Sequence, residues 1–148
     1  MRWQPYVTVA AVIADNDKFL LVEEKINGKI CYNQPAGHWE PGETLIEAIK
    51  REVLEETGWK FTPTNLVQIY QWSPNIAQEK TFLRFTFTGH MVDCEYPIPL
   101  DQKIIRTHWF GYKEITNLIA QHRSPQVIRS IDDYLSGKRF SLDILSVV

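Results

Sequence analysis

The chain has 148 residues, of which 44% are hydrophobic and 23% are charged, and its formal net charge is −2. This length predicts a single domain over residues 1–148 with a sizeable hydrophobic core. The slightly negative charge argues against a nucleic acid polymer as the partner, since such proteins usually present a basic surface.

The sequence carries no pattern that directs a protein to a membrane or out of the cell. No apolar run approaches the length of a membrane span, and the first residues, MRWQPYV, lack the architecture of a signal peptide. The two cysteines, Cys31 and Cys94, show no metal-ligand spacing, so we expect unpaired thiols. We therefore expect a cytoplasmic protein without membrane association.

The first part of the chain predicts β-strands joined by tight turns. The strands are expected at residues 6–14, 18–25 and 30–34. Asn27-Gly28 is a typical hairpin turn, and Pro35-Ala36-Gly37 bends the chain after the third strand. These elements lead into a helix that contains an unusual number of acids.

The helix is predicted from the residues at its two ends. Thr44 and Glu47 form a capping-box pair, and Pro41-Gly42 before them indicates a turn. Gly58 is typical of the residue that ends a helix. The predicted helix has about fourteen residues, which is an ordinary length.

Three carboxylates lie close together on this helix. At 100° per residue, Glu56 falls between Leu45 and Ile49, inside the apolar face, with Glu52 and Glu55 on its flank. A solvated acidic face is the common interpretation of a Glu-rich helix, but it does not explain an acid within the apolar face. A hard divalent cation such as Mg²⁺ removes the repulsion between the acids and commonly bridges to substrate phosphates.

The rest of the chain predicts three more strands and two helices. The strands are expected at residues 60–71, 80–90 and 104–110, with a loop at 73–75, and the helices at 113–121 and 125–135. In the strand predicted at residues 80–90, Leu83, Phe85 and Phe87 lie on one face, and Arg84 and Thr86 lie on the other, polar face. The last helix is expected to start at an N-cap Ser124 and to end at Gly137. The order of elements predicts an α/β or α+β sandwich.

Residues 37–59 read GHWEPGETLIEAIKREVLEETGW, and their spacing follows a known signature. The matching positions are Gly37, Glu43, Arg51, Glu52, Val53, Glu55, Glu56, Gly58 and Trp59. This pattern resembles the Nudix box, although Trp59 stands where the family usually has Ile, Leu or Val. Three stretches, QPAGHWEPGETLIEA, EKTFLRFTF and RSPQVIRSIDDYLSGKRFSLDIL, are similar to the NudJ branch of bacterial Nudix phosphatases. The resemblance implies a Nudix-type α/β/α sandwich with a mixed β-sheet.

The resemblance also implies a reaction and the residues that carry it. It implies Mg²⁺-dependent hydrolysis of phosphoanhydride bonds, with Mn²⁺ as a second possible ion. The expected substrates are nucleoside triphosphates and diphosphates or a pyrimidine pyrophosphate of the thiamine pathway, with release of phosphate. The implied metal ligands and catalytic carboxylates are Glu52, Glu55 and Glu56, joined by the backbone carbonyl of Ala36. Gly37, Glu43 and Arg51 are expected to support the site structurally.

The general base and the substrate contacts are less explicit in the sequence. Glu52 is the preferred base, and Asp101 is the alternative from a loop beyond the box, where Gln102 stands in place of an acid that similar sequences often have. The candidate substrate contacts are Gln34, Arg84 and Trp72. Arg84 is also compatible with an ordinary surface ion pair.

Two other functions remain open at this point. Pro74 lies about fifteen residues beyond the box, as in some ADP-ribose pyrophosphatases, which are neighbouring enzymes for nucleotide sugars. A Nudix domain without turnover could instead act as a ligand sensor, although such a domain is expected to lose box carboxylates that this chain keeps. In each case we expect a small-molecule nucleotide or pyrophosphate as the ligand, and a monomer or homodimer.

Overall fold

The structure is a computed structural model, and it describes residues 2–148. Nine strands and three α-helices are found in this range. The strands are β1 Tyr6–Val12, β2 Ala14–Asp15, β3 Lys18–Ile26, β4 Lys29–Asn33, β5 Ala36–His38, β6 Trp59–Asn75, β7 Lys80–Cys94, β8 Ile104–Gly111 and β9 Phe140–Ser141. The helices are α1 Leu45–Thr57, α2 Tyr112–Asn117 and α3 Gln126–Leu135, with single 3-10 turns at Ile76–Gln78, Ile119–Gln121 and Leu142–Ile144.

The strands form two sheets. The first sheet has the order β5-β1-β7-β6-β9, in which β1 and β7 are parallel and the other pairs are antiparallel. In the second sheet β3 pairs antiparallel with β2, β4 and β8. The predicted mixed sheet in an α+β fold is therefore confirmed.

Helices pack against both faces of the sheet layer. Alternate residues of β1 point to opposite sides, as the two-residue period of a strand requires. Val9 packs in one buried cluster with Ile49 and Val53 of α1, and Val12 packs in another with Val127 and Ile131 of α3. Each such buried side chain stabilises the fold by about 1.5–3 kcal/mol. One cluster joins α1 to the sheet layer and the other joins α3 to it, so the strands lie between helices as the predicted α/β/α sandwich requires.

The ends of α1 follow the prediction from the sequence. The hydroxyl of Thr44 accepts a hydrogen bond from the N–H of Glu47 (3.0 Å), and the carboxylate of Glu47 accepts one from the N–H of Thr44 (3.2 Å). Gly58 ends the helix with a φ of +79°, a backbone conformation that side chains strongly disfavour. Both signals act within one turn of the chain, so they position the acidic helix independently of the rest of the fold.

Three local predictions were wrong, and a fourth differs in extent. Residues 73–75, predicted as a loop, belong to β6, where a register shift between Trp72 and Asn75 accommodates Pro74, which lacks an N–H for the ladder. The predicted bend at residues 35–37 is found at Pro35, and strand β5 begins directly after it at Ala36. The helix predicted at 113–121 stops after Asn117, and the following residues form a separate 3-10 turn.

The start of α3 also differs from the prediction. Pro125 is the N-cap, not Ser124, and Gln126 is the first helical residue. The hydroxyl of Ser124 nevertheless accepts a hydrogen bond from the N–H of Gln126 (3.2 Å), so it satisfies a free donor from one position earlier. Within residues 2–148, none of the helices has both the length and the apolar character needed to cross a membrane.

Candidate active site

A cavity of about 480 Å³ opens beside α1, between the ends of β1, β3, β5 and β7. The carboxylates in its wall are Glu24, Glu40, Glu52, Glu56 and Asp101. The basic side chains in its wall, apart from His38, are Lys80, Arg84, Lys103 and Arg123. The cavity wall therefore brings acidic and basic side chains together. The formal net charge of the whole chain, −2, does not reveal this local concentration of charge.

Glu52 is a buried acid at the inner end of this cavity. Its side chain is 9% exposed, and Arg51 Nη1 lies 2.7 Å from its Oε1. Burial raises the pKa of Glu52 to about 7, because desolvation disfavours the charged form more than Arg51 favours it. A carboxyl group with this pKa can accept and release a proton near neutral pH.

Glu56 is more deeply buried and has no basic side chain within ion-pair distance among residues 2–148. Only 3% of the residue is exposed, and its Oε1 accepts a hydrogen bond from the N–H of Ala36 (2.8 Å). Burial raises the pKa of Glu56 well above its ordinary value, the Ala36 N–H opposes this, and nearby Glu52 adds to the rise. A buried carboxylate without a cation is costly unless something else neutralises it.

Arg51 connects the box residues around the cavity. Its Nε and Nη2 donate to the two oxygens of Glu43 at 2.9 and 2.7 Å, and its Nη2 also donates to the carbonyl of His38 at 3.0 Å. These hydrogen bonds lower the pKa of Glu43 and raise that of Arg51. The guanidinium thereby links the segment before the helix to the middle of α1, beside Glu52.

Glu55 lies outside the cavity wall. Its side chain is 42% exposed, and its nearest charged partner is Arg51 Nη1 at 3.4 Å. The backbone carbonyl of Glu55 accepts hydrogen bonds from the N–H groups of Leu100 (2.8 Å) and Asp101 (2.9 Å). Through these contacts the loop after β7 carries Asp101 into the wall of the cavity, whereas the metal-ligand role of Glu55 stays a prediction.

The oxygen donors at this site suit a hard divalent cation by their chemistry. Glu52, Glu56 and the carbonyl of Ala36 are the groups that could hold such an ion, and carboxylate and carbonyl oxygens are the ligands that Mg²⁺ and Mn²⁺ prefer. In the part of the chain that the structure describes, no three acidic, imidazole or thiol groups are already gathered for chelation. The Oε1 of Glu52 accepts a hydrogen bond from Arg51, and the Oε1 of Glu56 accepts one from the Ala36 N–H, so the bonds named here use one oxygen of each carboxylate.

Glu24 was missed by the sequence analysis. It lies on β3, is 8% exposed and pairs with Arg123 Nη1 at 3.3 Å. Burial raises the pKa of Glu24, and Arg123 opposes the shift. The available signal was the pair Glu23-Glu24 in an otherwise apolar strand. Successive residues of a strand point to opposite faces of the sheet, and both acids are buried, so both faces of β3 are covered at this point.

The three predicted substrate contacts occupy different positions. Trp72 lies in the cavity wall and stacks on Phe82, with ring centroids 5.7 Å apart. Arg84 also lines the cavity but is 4% exposed, so the polar side of β7 is buried rather than solvated as an amphipathic strand would imply. Gln34 is fully buried behind Arg84 and does not line the cavity. Tyr70, an aromatic residue near Trp72, donates its hydroxyl to Asp133 (2.6 Å) in the core.

Comparisons with known proteins show which family the chain is similar to. The family model described as NUDIX domain matches residues 4–131. Phosphatase NudJ from Escherichia coli strain K12 is 44% identical over 144 residues, which cover 97% of this chain and 92% of that protein. A solved structure of a NUDIX hydrolase from Nitrosomonas europaea is 51% identical with a TM-score of 0.92, and the match covers 98% of each chain. The structure of a UDP-X diphosphatase, 24% identical, shares the fold with a TM-score of 0.76 over 95% of this chain and 68% of that one.

Proposed function

Because the chain belongs to the Nudix hydrolase family, we propose that it hydrolyses phosphoanhydride bonds in small organic diphosphates and triphosphates with the help of Mg²⁺ or Mn²⁺. The observation that carries this proposal is the pair of buried carboxylates, Glu52 and Glu56, in the wall of one cavity. Two adjacent acids of this kind repel each other and lose hydration, so a bound cation offsets a cost that the fold otherwise bears alone.

The proposed substrates are nucleoside triphosphates and diphosphates or a thiamine-pathway pyrimidine pyrophosphate, with phosphate as a product. A volume of about 480 Å³ is within the range of small-molecule sites. The wall includes Trp72 and Phe82 for a planar ring, and Arg84 and Lys80 for anionic groups. The 44% identity to Phosphatase NudJ over almost the whole chain supports this choice.

The protein's own residues would position the reacting groups. A divalent cation, when bound by Glu52, Glu55, Glu56 and the Ala36 carbonyl, neutralises phosphate charge and lowers the pKa of a water molecule. Arg51 orients Glu52, and the Ala36 N–H orients Glu56. We propose that Glu52 accepts the proton of the attacking water while a new O–P bond forms and the P–O bond of the anhydride breaks.

Asp101 is the second candidate for the base, since it also lines the cavity. Glu52→Gln and Asp101→Asn separate the two roles when the pH dependence of kcat is measured for both. Loss of the acidic limb of the profile in only one variant identifies that residue as the base. A profile that keeps its acidic limb in both variants would exclude both.

A substrate panel tests the proposed function. Product formation is measured with Mg²⁺ as orthophosphate for nucleoside triphosphates, nucleoside diphosphates and the pyrimidine pyrophosphate, and as AMP for ADP-ribose, with Glu56→Gln as the control variant. We expect turnover of the first three classes. Turnover of ADP-ribose alone would support the neighbouring pyrophosphatase activity, for which the only favourable observation is Pro74 in the cavity wall. Binding without turnover of any member would contradict the proposal.

The setting of the reaction is also a proposal. Cys31 and Cys94 are both free thiols, which suits a reducing compartment, and we propose the cytoplasm. We propose one domain over residues 1–148 that acts on small molecules as a monomer or a homodimer. Sedimentation of the purified protein distinguishes the two assemblies.

A further inference from the structure

Arg84 is a buried cation without a carboxylate partner. Only 4% of the residue is exposed, and no ion pair within 4.0 Å involves it among residues 2–148. Burial lowers the pKa of Arg84 to about 10, so the side chain still carries its charge at neutral pH. An uncompensated charge in the interior is expensive, so an anionic ligand that pairs with it would relieve part of that cost.

The hydrogen bonds of Arg84 leave part of its guanidinium unused. Nη2 donates a short bond to Gln34 Oε1 (2.6 Å), while Nη1 and Nη2 share Asn33 Oδ1 at 3.4 Å each. Nε is buried and has no acceptor. A guanidinium has five N–H donors in a fixed fork, so one short bond and two long ones leave donors free for a further acceptor.

The surroundings fix the direction of the side chain. Gln34 holds Arg84 through its oxygen and donates its Nε2 to the carbonyl of Val127 (2.9 Å) at the start of α3. The side-chain oxygen of Gln126, which also lines the cavity, has no hydrogen-bond partner either. The amide side chains of Asn33 and Gln34 carry no charge, so they orient the guanidinium of Arg84 without neutralising it.

Arg84 occupies a position between two parts of the cavity. On β7 it lies two residues from Phe82, so both side chains are on the same face of the strand, about 7 Å apart along it. The charge of Glu56 acts to raise the pKa of Arg84, against the larger effect of burial, so the two groups lie within electrostatic reach of each other. A molecule that reached from the Glu52–Glu56 pair to the aromatic rings would pass the free donors of Arg84.

We propose that Arg84 binds the non-bridging oxygens of the substrate's phosphate chain and that Asn33 and Gln34 hold it in place for this purpose. This inference rests on the proposed function, since it assigns a residue to the recognition of the proposed substrates. Planar N–H forks match phosphate oxygens, and such charge-assisted bonds are about twice as strong as neutral ones. In the competing explanation, Arg84 only balances the charges of Glu24 and Glu56, and then an anion gains nothing from it.

Calorimetric titration with methylenediphosphonate, which cannot be hydrolysed, separates these explanations in buffer with Mg²⁺. The variants are Arg84→Gln, Arg84→Lys and, as the matched control, Arg106→Gln, which changes an exposed arginine on β8 outside the cavity. We expect Arg84→Gln to weaken binding at least tenfold, Arg84→Lys to weaken it about threefold because the fork is lost, and the control to stay within twofold. Circular dichroism checks the fold of each variant.

Each result decides for or against the role of Arg84. Equal affinity in a folded Arg84→Gln, or no binding by the unchanged protein, would overturn the inference. If Arg84→Gln does not fold, Arg84→Lys decides, and unchanged affinity in that variant overturns it. Hydrolysis by the same preparations is measured in parallel. If the protein hydrolyses the substrates but its affinity does not depend on Arg84, the proposed function stands and the role of Arg84 falls. If binding depends on Arg84 but no substrate is hydrolysed, the proposed function falls and Arg84 remains an anion-binding residue.

Discussion

Gly37 lies directly against the carboxylate of Glu52. A Cβ atom placed on Gly37 would overlap both carboxylate oxygens of Glu52. The close approach brings the backbone of β5 onto α1 at the point where the cavity begins. Any residue with a Cβ at this position would displace a carboxylate that Arg51 holds.

Gly37→Ala tests this requirement. The added methyl group must displace the carboxylate of Glu52 or the backbone of β5, and overpacking of this kind costs about 1–3 kcal/mol. We expect that loss in urea unfolding, together with at least a tenfold fall in kcat. Gly111→Ala is the control, because a Cβ there meets only the end of Glu114 at 3.7 Å, and we expect it to cost at most about 1 kcal/mol. Equal effects of both changes would contradict the steric argument.

Glu56→Gln separates the chemistry of the site from its fold. The amide oxygen of glutamine can still accept the Ala36 N–H, but the buried charge is gone. We expect kcat to fall by about 100-fold or more, which corresponds to about 3 kcal/mol of transition-state stabilisation, while the metal-free protein is at least as stable as before. Initial rates with Mg²⁺ and urea unfolding in EDTA measure the two effects.

The control for that change is Glu95→Gln, which removes an exposed carboxylate 3.9 Å from Lys60. We expect it to alter neither rate nor stability, because exposed pairs of this kind contribute little. An unchanged kcat in Glu56→Gln would remove Glu56 from the catalytic residues.

The stability of the metal-free protein should fall as the pH rises from about 4.5 to about 7. The pKa of Glu52 is about 7 in the folded state against 4.5 ordinarily, so the folded protein binds more protons than the unfolded chain within this window. The stabilisation is complete below about pH 4.5 and is lost through pH 7, by roughly 3 kcal/mol at 1.36 kcal/mol per pKa unit. Glu56 acts in the same direction.

Urea unfolding in EDTA at several pH values measures this dependence. In Glu52→Gln the contribution of that carboxyl is absent, so the fall with pH should be shallower than in the unchanged protein. Addition of Mg²⁺ near pH 8 should restore stability, because an ion that binds only the folded state stabilises it. Parallel pH dependences in the two proteins would show that burial does not raise the pKa of Glu52.

Tyr70 and Tyr112 offer a matched pair for the value of a buried hydrogen bond. Tyr70 donates to Asp133 (2.6 Å) in the core, and Tyr112 donates to Asp132 (2.7 Å) on the surface. We expect Tyr70→Phe to lose about 1–2 kcal/mol of stability, since the carboxylate of Asp133 loses a buried donor, and Tyr112→Phe to lose less than about 0.5 kcal/mol. Thermal unfolding compares the two. The same loss in both would mean that burial does not determine the effect.

The parts of the fold that depend on local signals could be predicted from the sequence. Helix α1 was predicted with both ends, because Thr44, Glu47 and Gly58 act within one turn of the chain. Strand β6 was predicted too short, because its last residues are strand only through pairing with β7, as Asn75 opposite Lys80 shows. Pairing between strands that are distant in sequence cannot be recognised from the residues next to Pro74.

The site divides in the same way. The box places Glu52 and Glu56 one turn apart on α1, so their proximity follows from helix geometry. Glu24 and Arg84 enter the cavity from β3 and β7, and their burial depends on which strands and helices cover those faces. A polar residue in a strand has the same local sequence whether it faces solvent or a cavity, so the sequence left both a substrate contact and a surface ion pair open for Arg84.

The loop that carries Asp101 is attached to α1 by main-chain atoms. The N–H groups of Leu100 and Asp101 both donate to the carbonyl of Glu55, and the N–H of Ile104 donates to the carbonyl of Asp101. These bonds to α1 need no particular side chain, but the carboxylate of Asp101 also accepts the N–H of Lys103 (2.9 Å). Exchange of residue 101 therefore keeps the attachment of the loop to α1, and an asparagine there can keep the bond inside the loop as well. The charge at this point of the cavity wall can thus change while the backbone stays in place.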